Sequence, residues 1–217
     1  MFKYKKPFIL RKPSDFIPEV YKVEGTHLDF GCGTQPRNPF QAEKLFSVDI
    51  YRTSAEIPSH EIQIGDKLPF DDENFSSVSA YDVMEHLSRE SIRGNDFIFY
   101  MQEIYRVLKP GGVAVIIFPA FPHRDAFSDP THINFITSHT VDYFLGNKTG
   151  PYYAGITTNF FAIANHPLRC WKKWFPLDSQ STPTNLKYLR RNLSLTKRDF
   201  LRFIWPQHRI WVLSKES

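Results

Sequence analysis

His27-Leu28-Asp29-Phe30-Gly31-Cys32-Gly33 is the stretch on which the fold turns. His27 to Phe30 reads as a short buried strand, and the glycines that follow let the backbone turn sharply and approach a ligand closely. In an open α/β sheet the ligand crevice lies beyond the carboxyl ends of the strands. A lone G-x-G is a common chance match. Asp49 strengthens it, 18 residues after Gly31 at the end of the next strand, Leu45-Phe46-Ser47-Val48-Asp49-Ile50. An acid there can accept both hydroxyls of a ribose; the competing reading is a helix N-cap ahead of Ile50.

Outward from that turn the chain alternates. Glu61-Ile62-Gln63-Ile64 reads as a third, weaker strand and Phe75 to Tyr81 as a fourth. From Asn95 to Leu108, apolar residues at 97, 98, 101, 104, 105 and 108 have the spacing of an amphipathic helix. Lys109-Pro110-Gly111-Gly112 stops it, and Val113 to Phe118 is the clearest buried strand. A further helix is expected to begin near Ser138. Strands alternating with helical connections imply an α/β fold: an open, doubly wound, mostly parallel sheet. Asn159 to Ala164 and Arg209 to Leu213 are expected to close it as an antiparallel C-terminal hairpin. Between them stands a basic, aromatic insertion (167–207), with short amphipathic helices at Leu186–Leu193 and Lys197–Ile204. With a basic, Pro-punctuated N-terminal arm (1–24), residues 1–217 read as a single domain.

Composition bounds the function. At 217 residues, 41% hydrophobic and 23% charged, the chain can bury a full core without staples. No run reaches the roughly 18–20 apolar residues of a membrane-spanning helix. The N-terminus has no secretory h-region or cleavage site, so the expected compartment is the cytoplasm. Cys32 and Cys170 give neither a disulfide framework nor a CxxC pair, which leaves structural zinc and redox chemistry without support. The net charge of +4 is uneven: residues 166–217 carry 11 Lys/Arg against 3 Asp/Glu, the remainder 16 against 20. A basic end of this kind fits an anionic substrate, a membrane surface, a nucleic acid or a solvated helical face.

Five segments, in order, resemble class I S-adenosylmethionine-dependent methyltransferases. These are His27 to Gly33, Val48-Asp49-Ile50, Leu68-Pro69-Phe70-Asp71-Asp72-Glu73-Asn74-Phe75, Tyr81-Asp82-Val83-Met84-Glu85-His86-Leu87, and Glu103 to Gly112. The resemblance implies S-adenosylmethionine as cofactor. It implies that Asp29 and the backbone of Gly31, Cys32 and Gly33 hold its amino acid end, with Cys32 itself a small packing residue. It implies that Asp49 binds the ribose and Ile50 lies against the adenine. Gln63 and Ile64 occupy the adenine-amine position, where the family usually has an acid and an apolar residue, and Tyr81 sits beside the cofactor. Glu85 and His86 are expected to be supporting and packing residues. Gln35 stands where the family commonly has a third glycine. Pro36 stands at the last small position of the dinucleotide fingerprint G-x-G-x-x-G/A, which argues against a nicotinamide cofactor.

On the acceptor side, Asp129-Pro130-Thr131-His132 resembles a "DPTH" segment of bacterial methyltransferases associated with sugar and cell-surface glycan pathways. A hydroxyl acceptor benefits from a base as the methyl arrives, and an imidazole suits that task. His132 is the candidate base, with Asp129 as its orienting partner or an alternative base; the competing reading is that this segment caps and packs the next helix. No His-x-x-x-His metal spacing occurs, and no metal ligand is assigned. The expected function is O-methylation of a small-molecule or glycan acceptor, without nucleic acid and with peripheral membrane contact as an option. The alternative is a non-catalytic binding module of the same fold, acting through the basic, aromatic end.

Overall fold

A computed structural model describes residues 24–51, 59–91, 94–146, 155–168 and 208–216. Seven strands form one sheet: β1 (Thr26–Phe30), β2 (Lys44–Asp49), β3 (Ser59–Glu61), β4 (Phe75–Tyr81), β5 (Leu108–Pro119), β6 (Phe160–Leu168) and β7 (His208–Lys215). Their order is β3-β2-β1-β4-β5-β7-β6. The first five run parallel, and β7 lies antiparallel between β5 and β6. This is the open, mostly parallel α/β sheet with a C-terminal antiparallel hairpin that the sequence predicts. Strand order reverses between β1 and β4, which places the crevice beyond Phe30 and Tyr81.

Alternation along the strands builds two unlike faces. Leu28, Phe30, Val78, Ala80, Ala114, Ile116, Phe118 and Trp211 belong to one buried cluster. The helix α1 (Asp96–Val107) adds Phe97, Tyr100, Met101, Ile104 and Val107 to it, the i, i+3/i+4 stripe that makes it amphipathic. Asn95 starts α1, its side-chain oxygen accepting the Ile98 N–H at 3.3 Å. On the other face Tyr81, Val113, Val115, Ile117, Ile210 and Val212 pack with Phe40 and Ala164.

Arg106, near the end of α1, ties the β3–β4 connection to the helix. Its guanidinium donates to the Glu103 carboxylate at 2.8 and 2.7 Å, to the carbonyls of Phe70 and Leu68 at 2.8 and 3.1 Å, and to Asp72 at 2.8 Å. Glu103 in turn accepts the Leu68 N–H at 2.8 Å. The acidic segment before β4 therefore owes its course to two side chains one helical turn apart.

Some boundaries differ from those expected. β3 ends at Glu61, because the Asp66 carboxylate takes the Gln63 N–H at 3.0 Å and closes a turn. The strand expected at Glu61–Ile64 therefore lies earlier. β5 starts at Leu108, ahead of Val113: Lys109 to Gly112 ends the helix but bulges out between the pairs Phe75↔Leu108 and Ser77↔Val113. The helix expected near Ser138 is a short 3-10 segment, Thr140–Phe144, opened by the Thr140 hydroxyl accepting the Thr137 N–H at 3.0 Å. β6 runs through Pro167 and Leu168, where Leu168 pairs with His208, itself the partner of Pro119. The arm up to residue 23 and the stretch 169–207, with its two expected helices, lie outside the described residues. Among the described residues, no helix is long and apolar enough to cross a membrane.

Candidate active site

The turn after β1 is shaped by its neighbours. The Gly31 N–H donates to the Val48 carbonyl at 2.8 Å, and Cys32 does so more weakly at 3.4 Å. Gly31 has φ +69°, and a Cβ there would stand 2.6 Å from Val83, in the segment that leaves β4. Gly33 also has positive φ, +58°, but faces open space. Its N–H donates to Asp49 at 2.8 Å, fixing that carboxylate on the lip of the crevice beside the glycine turn. Ile50 and Ile64 are 41% and 49% exposed, two apolar surfaces past β2 and β3 with Gln63 exposed next to Ile64. Cys32 is buried, its thiol 3.4 Å from the Gly33 carbonyl, as befits a packing residue.

Asp29 is fully buried at the root of the same turn. Its Oδ1 accepts from the Ser79 hydroxyl at 2.5 Å and its Oδ2 from the Arg37 N–H at 2.7 Å, with the Arg37 guanidinium 3.8 Å away. The Ser79 proton is thus committed to Asp29, so Ser79 accepts from Nε2–H of His27 at 2.8 Å. Nδ1 of His27 then accepts from the Ser77 hydroxyl, also at 2.8 Å. Burial drives His27 down to about 3, so the ring is neutral with one defined tautomer, and drives Asp29 up to about 6. Arg37 also covers the buried Tyr81 ring at 5.3 Å, and its Nε and Nη1 make no hydrogen bond among the described residues.

These two shifts oppose each other. Between pH 6.5 and 3 the unfolded chain protonates His27 and the folded chain does not, so acid removes stability. Between pH 6 and 3.8 the folded chain protonates Asp29 first, so acid adds stability. In the shared window the slopes nearly cancel. Asp29→Asn is expected to expose the His27 effect, its stability falling relative to wild type by about 1.4 kcal/mol per pH unit between pH 6 and 4. Urea unfolding at a series of pH values checks this; parallel curves for the two proteins would refute the pairing.

Beyond β4, the 3-10 turn Met84–His86 is stapled to the Asp129–Asn134 segment. The N–H groups of Ile133 and Asn134 donate to the Glu85 carbonyl at 2.9 and 3.0 Å. The Asn134 amide donates to the carbonyls of Met84 and Leu87 at 3.1 and 2.6 Å. Two segments distant in sequence are thereby locked, and four of their side chains converge. His132 Nε2 lies 3.9 Å from Glu85 Oε1 and 4.0 Å from Asp129 Oδ2, and its ring meets that of His86 edge to face at 4.7 Å. The Asp129 carbonyl accepts the His132 N–H at 3.2 Å, but its carboxylate, 4.0 Å from the ring, makes no hydrogen bond to it. It accepts the Thr131 hydroxyl at 2.6 Å, and Thr131 meets His86 Nδ1 at 2.9 Å, so the orienting role expected of Asp129 falls on His86. The Asp129 carboxyl is held below the usual range by those Thr131 hydrogen bonds. Glu85 is 2% exposed, neither carboxylate oxygen has a hydrogen-bond partner among the described residues, and burial lifts it to about 8. Phe121, Phe127 and Phe135 stack nearby in sequence as an exposed aromatic row, with centroids 5.7 and 4.8 Å apart.

Each residue predicted on the cofactor side therefore lies at or beside the carboxyl ends of β1 to β4. His132 and Asp129 lie within 4.0 Å of each other, and the Gly31–Val83 contact links their neighbourhood to the glycine turn. Sequence reading missed His27, Ser77, Ser79, Arg37 and the burial of Glu85. The first three left a signal: polar residues at 27/29 and 77/79 alternate on one face of strands otherwise buried.

Residues 28–116 match the family model described as a methyltransferase domain. A search of curated proteins finds no match. Among solved structures, the chain is similar to an S-adenosylmethionine-dependent methyltransferase from Archaeoglobus fulgidus: 16% identity, TM-score 0.55, covering 93% of this chain and 90% of that one. A methyltransferase dependent on the same cofactor, from Mesorhizobium loti, gives 12% identity, TM-score 0.50 and coverage of 89% and 93%. The [4+2]-cyclase SpnF gives 15% identity, TM-score 0.55 and coverage of 94% and 80%. At such identities the structural likeness speaks for the fold; the family match speaks for the activity.

Proposed function

We propose that this chain, whose residues 28–116 match a methyltransferase domain on a sheet of matching order, is an S-adenosylmethionine-dependent methyltransferase that methylates an oxygen of a small, carbohydrate-like acceptor. The observation that carries the proposal is the junction at Gly31–Val83. It joins a turn suited to the cofactor to a cluster able to receive a hydroxyl proton.

The residues present fit the cofactor. The open space over Gly33 admits a ligand where any side chain would stand in the way. Asp29 carries the charge for an ammonium and Arg37, whose Nε and Nη1 make no hydrogen bond among the described residues, the charge for a carboxylate, which together match the two charges of an amino acid end. Asp49 keeps acceptor capacity for ribose hydroxyls after taking the Gly33 N–H, and exposed Ile50 and Ile64 offer apolar faces to the adenine. When bound, the cofactor supplies a methyl group already activated on a positively charged sulfur. The protein's remaining tasks are to hold the acceptor in line, to exclude water and to receive a proton.

Proton receipt falls to His132, or to Asp129 as the alternative base, in this reading. The resemblance of Asp129 to His132 to the glycan-associated "DPTH" segment supports an acceptor rich in hydroxyls, and the exposed Phe121–Phe127–Phe135 row suits the apolar face of a sugar ring. The acceptor in this reading is a small molecule or glycan rather than a nucleic acid.

Calorimetric titration of the full chain with S-adenosylmethionine and S-adenosylhomocysteine tests the cofactor site, with NADH as control. Asp49→Ala is expected to weaken both by roughly 100-fold, about 2.7 kcal/mol, and NADH to bind neither protein. Equal affinity in Asp49→Ala would remove that residue from the site. For the acceptor, transfer of a carbon-13 methyl group to sugar alcohols is expected to give an O-methyl resonance. A label that appears only on nitrogen would refute oxygen transfer.

A further inference from the structure

We infer that Glu85, His86 and His132 form a binding site for one divalent transition-metal ion on the acceptor side of the crevice. What the ion does there rests on the proposed methyl transfer; that it binds does not.

The three side chains each offer one ligand atom, and these atoms all lie within 4.8 Å of one another. Ligands to a shared ion of the zinc class stand at roughly 2.0–2.2 Å from it, so two of them sit about 3.3 Å apart in a tetrahedral site. The 3.9 Å between Glu85 Oε1 and His132 Nε2 is therefore about half an ångström from coordination, within the reach of small χ adjustments.

Hydrogen bonds already orient one of the ligands. The Thr131 hydroxyl donates to the Asp129 carboxylate, so it accepts from Nδ1–H of His86. That leaves the lone pair of His86 on Nε2, fixed by the carboxylate–hydroxyl–imidazole chain that commonly supports a metal-bound histidine. Glu85 is the second, independent observation: a carboxyl 2% exposed, both oxygens without a hydrogen-bond partner among the described residues, in contact range of a histidine ring. A buried carboxyl in that state is costly unless something pairs with it, and a cation between Glu85 and the two imidazoles supplies the missing partner. The backbone staples from Ile133 and Asn134 to Glu85 hold both contributing segments in place before any ion arrives.

Two imidazoles and one carboxylate select Zn2+, Co2+ or Fe2+ over Mg2+ and Ca2+, which prefer all-oxygen shells. Three protein ligands leave positions open. An acceptor hydroxyl oxygen entering one of them is polarised by the ion, and its proton has a nearby recipient in exposed Asp129, 4.0 Å from His132 Nε2.

The test uses the full chain freed of metal by a chelator, titrated with Co2+ and followed by its visible absorption bands. One Co2+ per chain is expected, displaced by Zn2+ and not by Mg2+ in large excess. Glu85→Gln and His132→Gln are each expected to weaken Co2+ binding at least tenfold, while Glu90→Gln, on the exposed surface, binds as wild type. Retained S-adenosylhomocysteine binding certifies that each variant is folded; should His132→Gln fail this check, His86→Gln replaces it. Absence of the bands in wild type, or unchanged affinity in folded Glu85→Gln, overturns the site. A chain that methylates hydroxyls without taking Co2+ loses the metal site alone; one that takes Co2+ through these residues and methylates no oxygen loses the acceptor proposal alone.

Discussion

Gly31→Ala is expected to destabilise the protein by about 2–5 kcal/mol, whereas Gly33→Ala costs only about 1–2 kcal/mol. Both glycines have left-handed backbone, so both substitutions carry that conformational penalty. Only at Gly31 does the new methyl group meet another residue, standing 2.6 Å from the Cβ and Cγ2 of Val83. Relief requires β1 and the segment after β4 to part, and that contact joins the two sides of the crevice. S-adenosylmethionine binding should therefore fall at least tenfold in Gly31→Ala and much less in Gly33→Ala. Val83→Ala should not rescue the first variant, because the Val83 Cβ is itself one of the clashing atoms. Val83→Gly should recover the steric part. Urea unfolding with an unchanged m-value, beside calorimetric titration, measures both effects. Equal losses in the two alanine variants would show that close approach plays no part.

Arg106→Met is expected to cost about 3–5 kcal/mol, lowering the midpoint of thermal unfolding by roughly 10 °C. Removing the guanidinium leaves Glu103 buried, 6% exposed, with the Leu68 N–H as its remaining hydrogen-bond donor. It also strands the carbonyls of Leu68 and Phe70. Asp72, at the exposed end of the network, contributes little because water screens it. Glu103→Gln relieves the unpaired charge, so the double variant should be less destabilised than the sum of the two single ones. Strict additivity in a double-mutant cycle would mean that the two residues act separately.

The frame of the fold was legible because its signals are local. A strand ending in glycines, a 3.6-period stripe from 97 to 108 and a run of six apolar residues from Val113 each state their structure within a dozen positions. Asp49 was legible by spacing. Boundaries failed where a side chain overrode the backbone pattern, as when Asp66 captured the Gln63 N–H and cut β3 short. The buried polar chain Ser77–His27–Ser79–Asp29 was illegible as a unit, since it exists only through the pairs His27↔Ser77 and Asp29↔Ser79 across two strands 50 residues apart. Glu85 was read as a supporting residue because sequence gives its type and not its isolation. What singles it out is that the chain bringing Ile133 and Asn134 over it satisfies its backbone carbonyl and leaves its carboxylate alone.

The pairing of Leu168 with His208 separates two properties of this protein that need not change together. Antiparallel neighbours stand about 5 Å apart, so the chain departs from the sheet and rejoins it at practically one point. That point is the end of β5 at Pro119, on the same rim as the crevice. Doubling the length of a connection closed in this way raises its closure entropy by only about 0.6 kcal/mol. A change in the length of the chain between those two residues is therefore expected to disturb strand register little. Sequence grafted at this port would change what stands beside the crevice while leaving the sheet and its glycine turn as they are.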